Sequence, residues 1–456
     1  MNALSSKLRK HWRSAELTAL LLAWLIGCFA WVLVDVACSN NPGSAIVPLL
    51  VSGLLIFGTH LVVRWQAPYA DPVILPIAVM LNMLGLAMIH RLDLANQKIA
   101  KATNSVAPKP DVYLQITWLA IGFVLLCAVL MLVTDHRKLH RLTFTCGVAG
   151  IILLFLPLLP GIGLEINGAR LWLNFGLFTI QPGEISKILL TIFFAGFLVT
   201  RRHSLALINR KVLGIGLPRP KDAGPLLLVW AAALMVLILE RDLGTSLLVF
   251  GLFIVLLYVA TGRRGWVILG GLLLGGSSLL AFKAFSHVRI RFSVWLDPFS
   301  QATDNGYQIV QSLYGFANGG MFGTGWGRGY PQLVPFAKTD FITSALGEEL
   351  GLTGLIAIIL LYILLVERGA RAAIATRDQF GNLLAMGLTA TIGLQTFIVI
   401  GGVTRLIPLT GLTTPFLSYG GSSLVANYIL VALLIRISNA ARKPERLDLA
   451  QIEAEQ

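Results

Sequence analysis

Charge is what this sequence has least of. Asp, Glu, Lys and Arg make up 13% of its 456 residues, where a soluble domain carries about 25%. An ordinary water-soluble enzyme is excluded. Acid is scarcer still, at 22 residues against 36 basic ones. Cysteine is sparse and scattered: Cys28, Cys38, Cys127 and Cys146 form no C-x-x-C pair, and three of them lie in apolar runs. Neither a disulfide framework nor a zinc knuckle is expected. The Gly-rich stretch GGMFGTGWGRG (319–329) lacks the G-K-S/T ending of a P-loop, so no nucleotide site is read there.

What fills the chain instead is apolar sequence, 56% of residues, with a mean hydropathy of +0.78. Runs long enough to cross a bilayer recur from end to end. They lie near 18–35, 44–63, 73–90, 115–134, 142–160, 184–200, 223–239, 243–260, 265–284, 350–366, 383–403 and 424–437. The expectation is an all-α polytopic membrane protein with about 12 transmembrane helices. The first run is read as a span, not a cleaved signal, because many like it follow.

The net charge of +14 sits in short connections: SKLRKHWR, DHRKLHR (135–141), RRHSLALINRKV (201–212), TGRRG (261–265), ERGARAAIATRD (367–378) and RISNAARKPER. Twelve spans place all of these on one side, which the positive-inside rule makes cytoplasmic. Both termini are then cytoplasmic, and nucleic acid is not an expected partner. Four connections face the other way: 165–183, ERDLG (240–244), the long extracellular loop 285–349 before the helix near 350, and 404–423. The long loop is too apolar for disorder and is expected to hold short interfacial helices.

The scarce charges concentrate in those four. Asp340, Glu348 and Glu349 fall in FAKTDFITSALGEELG. Asp340 either caps a helix or, beside Phe336, Phe341 and Ile342, is a desolvated carboxylate suited to proton abstraction, with Lys338 opposing that if it approached. Glu184 and Lys187 in QPGEISK share a helix face at i, i+3, as a structural ion pair or the lining of a polar cavity. Arg170 in GARLWLN is either a snorkelling interfacial side chain or a phosphate contact. Asp242 in ERDLGTS suits a helix cap that also shapes a cavity wall. PFLSYGGSS brings Ser418, Tyr419, Gly420, Gly421 and Ser422 after two prolines, with Arg405 upstream; irregular backbone at membrane depth survives only when buried or lining a cavity.

In order, GARLWLNFG, QPGEISK, RDLGTS, GYQIVQS, TDFI-x5-GEELG and GLTTPFLSYGGSS make the chain resemble the SEDS family (shape, elongation, division and sporulation), the RodA/FtsW proteins of bacteria. The resemblance spans about 168–437 and leans to the RodA side, actinobacterial type. It implies a peptidoglycan glycosyltransferase of the bacterial cytoplasmic membrane that polymerises lipid II at the outer face. It also implies a class B penicillin-binding protein, the crosslinking transpeptidase, as partner, with other elongasome or divisome proteins. Carried over, the family's essential acid falls on Asp340, its acid–base helix pair on Glu184 and Lys187, and a further acid on Asp242. The usual member has ten spans, so two helices in 1–160 are an expected addition to a catalytic core at 161–456. Arg170, Arg405 and Lys187 are the expected cations for a diphosphate, with a divalent cation such as Mg2+ as the one cofactor that such a group would take. The competing readings are a lipid II flippase and a non-catalytic scaffold.

Overall fold

The computed structural model describes residues 2–166, 169–176, 179–205, 208–212, 215–218 and 224–444. Residues 167, 168, 177 and 178 of the first flagged connection, part of 201–212 and the end of the basic tail lie outside them.

Each of the twelve apolar runs forms a helix. These are α1 (Asn2–Ala37), α2 (Ile46–Gln66), α3 (Ile74–Ala102), α4 (Asp111–Leu132) and α5 (Thr143–Phe155). After three short strands, β1 (Gly163–Ile166), β2 (Ala169–Asn174) and β3 (Thr179–Ile180), comes α6 (Pro182–Leu205). A two-stranded hairpin, β4 (Ile208–Val212) with β5 (Ile215–Pro218), leads to α7 (Gly224–Leu239), α8 (Leu243–Thr261) and α9 (Arg264–Ala284). Then α10 (Ser286–Leu296) and α11 (Tyr307–Gly319) precede α12 (Ile342–Ala375), α13 (Gln379–Val403) and α14 (Gly421–Arg442). Eleven helical stretches among the described residues are long and apolar enough to cross a membrane; α7 is apolar but shorter. The long loop holds two short helices, α10 and α11, where such helices were expected.

One feature departs from an all-helical expectation. Part of 165–183 forms a small antiparallel sheet in the order β1–β2–β3, with Leu164 opposite Trp172 and Leu173 opposite Ile180. Alternation in ARLWLN, with Leu173 the buried position, suits a half-buried strand better than a helix.

The centre of the bundle is α3. Of its most apolar window 89% is buried, against 28% for α9 at the periphery. Its Gly85 lies under the backbone of Leu417, where a Cβ would stand 2.3 Å from the carbonyl oxygen. Only glycine lets helix and loop meet so closely.

The α12 helix is broken at Gly351, which adopts φ 71 and ψ −173. The Gly-rich loop fills the break. Leu352 N–H donates to the Gly320 carbonyl and Thr353 N–H to that of Met321, while Thr324 and Gly325 donate back to the Glu348 and Glu349 carbonyls. Backbone groups freed inside an apolar bundle thus find partners within the protein. Glu348 accepts from Asn318 and the Tyr330 N–H; Glu349 pairs with Arg91 of α3 and the Gly327 N–H. Both carboxylates are thus spent on holding the Gly-rich loop and α3 against α12.

Candidate active site

All four flagged connections meet at one end of the bundle. They enclose a chamber of about 590 Å³, inside the range of ligand pockets. Ala169, Trp172 and Thr179 come from the first, Arg241 and Asp242 from the second, Arg291, Phe336 and Asp340 from the third, and Thr410 to Thr413 with Tyr419 to Gly421 from the fourth.

The fourth wall is irregular backbone, and side chains from four helices hold it. From α3, Asn82 donates to the Phe416 carbonyl. Gln115 of α4 donates to the Ser418 carbonyl and accepts from the Gly420 N–H. The hydroxyl of Tyr362 on α12 donates to the Pro415 carbonyl. Gln395 of α13 donates to the Thr413 carbonyl at 2.9 Å. Phe416 holds a left-handed φ of 65 within this lattice, a strain that surrounding contacts must offset.

The Glu184–Lys187 pair of α6 forms as expected and is buried. Lys187 also donates to Gln395 at 2.7 Å. The chain Glu184–Lys187–Gln395–Thr413 therefore ties α6, through α13, to the wall. Glu184 lines the chamber, while the Lys187 ammonium is spent on these two partners.

Asp242 does both things expected of it. One carboxylate oxygen caps α8, accepting from the Thr245 N–H at 3.0 Å; the other has no hydrogen-bond partner among the described residues, and the residue lines the chamber. Burial raises its pKa.

Asp340 does not cap α12, whose N-cap is Phe341 without a side-chain bond. It stands at the chamber wall, partly accessible. Burial pushes its carboxyl up to about 6, against the opposing pull of the Arg291 guanidinium. A carboxylate with a pKa near neutrality is matched to general-base work. Its backbone is fixed from the wall: the Ser418 hydroxyl donates to the Thr339 carbonyl at 2.6 Å and the Tyr419 N–H to the Lys338 carbonyl at 2.8 Å. Ser418 in turn accepts from the Thr414 N–H. Ser422 accepts from the Gln181 N–H, so both serines are structural here. Tyr419, Gly420 and Gly421 line the chamber directly.

None of the three expected cations lines it: Lys187 is held by Glu184 and Gln395, and the other two turn away. Arg170 turns to Glu165 across the β1–β2 pair, 3.0 Å away, on an exposed surface. Arg405 donates to the carbonyls of Trp295 and Leu296 and so clamps α10. Neither residue lines the chamber. Their place is taken by two arginines that the sequence did not single out. Arg291 of α10 donates to the Leu409 and Thr410 carbonyls and faces both Asp242 and Asp340. Arg241 holds a left-handed φ of 57, lines the chamber and makes no ion pair among the described residues. Its position in ERDLG was the available signal; Arg291, inside SHVRIRF, gave none beyond charge.

The described residues hold no group of three or more His, Cys, Asp or Glu side chains that would bind a metal ion. His136 and His140, four apart, are engaged with Asp378 and Phe380. Of the carboxylates lining the chamber, Glu184 is paired with Lys187, which would leave Asp242 and Asp340, both already facing Arg291, to hold a divalent ion.

A family model described as cell cycle protein, FtsW/RodA/SpoVE, matches residues 72–443. The chain belongs to the FtsW/RodA/SpoVE family. It is 49% identical over 436 residues to the peptidoglycan glycosyltransferase RodA of Mycobacterium bovis, covering 95% of this chain and 92% of that one. With the probable peptidoglycan glycosyltransferase FtsW of Geobacter metallireducens the identity is 34%, over 81% and 94% of the two chains. A structure described under the coordination of polymerization and crosslinking by a peptidoglycan synthase complex superposes with a TM-score of 0.60 at 27% identity, covering 78% of this chain and 98% of that one. A crystal structure of the rod shape determining protein RodA from Thermus thermophilus shares the fold, with a TM-score of 0.56 at 24% identity over 82% and 98%. The span matched to the FtsW/RodA/SpoVE family begins after α2 and contains ten of the twelve helices that answer to the apolar runs, leaving α1 and α2 in front of it.

Proposed function

We infer that this multi-pass membrane protein is a peptidoglycan glycosyltransferase. It joins lipid II units into β-1,4 glycan strands at the outer face of the bacterial cytoplasmic membrane, for cell elongation or division. The observation that carries the reading is Asp340: a carboxylate with a raised pKa, in a chamber that also presents Arg241 and Arg291.

The donor sugar is linked through C1 to undecaprenyl diphosphate. The acceptor is a GlcNAc 4-hydroxyl. Turning an α-linked diphosphate into a β-glycoside inverts C1, so displacement is direct. The acceptor oxygen forms its bond to C1 as the C1–O bond to diphosphate breaks, and the electron pair leaves on the diphosphate. Asp340 takes the hydroxyl proton, a contribution of about 10²–10⁴-fold for a general base. Arg241 and Arg291 offset the charge developing on the leaving group. Asp242 and the Glu184–Lys187 pair act by holding Arg291 and the wall in place. The diphosphate bond supplies the driving force, so no nucleotide site is needed. The core of ten spans begins at α3, its catalytic part being 161–456 with the loop 285–349, and the pair α1–α2 is the addition before it. A class B penicillin-binding protein is the partner that crosslinks the strands, alongside other elongasome or divisome proteins.

Purified protein given lipid II in detergent, with its partner present, is expected to make glycan strands, and Asp340→Asn to make none while remaining folded. A wild-type protein that makes no strand yet moves lipid II across liposomes would instead establish a flippase.

A further inference from the structure

Asp340 stands between two cavities. Beside the large chamber lies a smaller one of about 260 Å³, on the side of α10 and α11. The two share Arg291, Phe336, Asp340 and Gly411. What distinguishes the smaller cavity is a pair of amides, Asn305 and Gln308, at the start of α11. Gln308 is half-buried and Asn305 exposed. Neither side chain has a hydrogen-bond partner among the described residues, whereas nearby Gln301 is spent on Ser293. Each unused amide offers two donors and an acceptor, the set that reads hydroxyl and acetamido groups.

We propose that this smaller cavity is the subsite for the acceptor sugar, an N-acetylated hexosamine, read by Asn305 and Gln308. The proposal rests on the glycosyltransferase reading above and deepens it. The chemistry of the two reactants separates the cavities. The donor is cleaved at its diphosphate, so its subsite must carry cations to the leaving group; the large chamber has Arg241, which the small cavity lacks. The acceptor presents the sugar end remote from its own diphosphate, so its subsite needs hydrogen-bonding groups and access to the base. A cavity below the size that takes a drug-sized ligand, holding two free amides and one face of Asp340, meets that requirement. Asp340 in the shared wall then receives the proton from the small side while C1 approaches from the large one.

Two analogues isolate the half-reactions. A lipid II lacking the GlcNAc 4-hydroxyl donates and cannot accept. A lipid II whose C1–oxygen link is replaced by a non-cleavable C-phosphonate accepts and cannot donate. Their coupling yields one tetrasaccharide, so a KM is measured for each. Gln308→Ala and Asn305→Ala are expected to raise the acceptor KM at least tenfold and leave the donor KM within twofold; Arg241→Ala is expected to do the reverse. An unchanged acceptor KM in both amide variants, or equal shifts in both KM values, overturns the subsite. No coupling by wild-type protein, which also fails to polymerise lipid II, overturns the glycosyltransferase reading and the subsite with it.

Discussion

Lys338 and Asp340 lie two residues apart with opposite charges, and the structure holds the ammonium away from the acid. Lys338 is paired with Asp93 of α3, 3.3 Å away, and with Asp111 at the start of α4. Asp93 uses its other oxygen on the Val112 N–H. Asp340 instead faces Arg291 and the chamber. The loop 338–340 separates its cation from its carboxylate, and burial holds the Asp340 carboxyl near neutrality.

Removing the two carboxylates that restrain Lys338 should bring the ammonium toward Asp340. An adjacent cation lowers a carboxyl pKa by about 1–3 units. In the Asp93→Asn, Asp111→Asn double variant the acid limb of the pH–rate profile is expected to move to lower pH by about one unit, with a weaker plateau rate. Adding Lys338→Met should return the limb toward its wild-type position. An unmoved limb in the double variant would show that Lys338 stays away unaided.

The wild-type profile itself has a defined sign. Asp340 has its pKa raised from 3.8 to about 6. It is protonated, and useless as a base, below that value. The kcat/KM for lipid II should rise through about pH 6 and level off above it.

Linkage runs the opposite way for stability. Between about pH 4 and 6 the folded carboxyl binds more proton than the unfolded one, so its contribution to stability falls as pH rises through that window. A pKa rise of this size corresponds to about 3 kcal/mol, and the partial exposure of Asp340 screens it, so Asp340→Asn should be inactive at pH 7 and yet about 1–2 kcal/mol more stable. Thermal unfolding in detergent, set beside polymerisation, reads both quantities.

A buried ion pair that loses one partner leaves an uncompensated charge, at a cost of about 3–5 kcal/mol. Lys187→Met should fall in that range and also slacken the Thr413 wall through Gln395. The Glu184→Gln, Lys187→Met double variant should be more stable than Lys187→Met alone, while its activity stays low. Equal instability in single and double variants would argue against coupling between the two.

At Gly351 a Cβ would meet the Gly323 nitrogen at 2.3 Å and the Met321 carbonyl at 2.6 Å, on a backbone with φ 71. Gly351→Ala is expected to lower stability by about 1–3 kcal/mol. Gly275→Ala, where a Cβ meets nothing within 4 Å, should be near neutral in the same melt.

Much of this was legible beforehand, for a physical reason. Long apolar runs have one stable arrangement in lipid, so every expected span became a helix. Carboxylates are so costly there that Glu184, Asp242 and Asp340 stood out by presence alone. Direction was not legible. Arg170, Arg291 and Arg405 look alike in sequence; whether a guanidinium faces a chamber or a carbonyl depends on tertiary packing. The β1–β3 sheet was hidden because six residues of weak alternation carry little signal beside spans of twenty. Ser418 looked like a ligand because hydroxyls in an irregular membrane loop suggest one.

Its placement changes what a defect there means. The Ser418 hydroxyl sits one peptide unit from Asp340, the proposed base, and fixes the carbonyl that precedes it. Losing that hydroxyl displaces the base without removing any group that meets the sugar. Threonine keeps the donor and alanine does not, so tolerance at this position will follow hydrogen-bonding capacity. A screen that scores only lost function would place Ser418 beside Asp340; the pattern of tolerated replacements would separate the two.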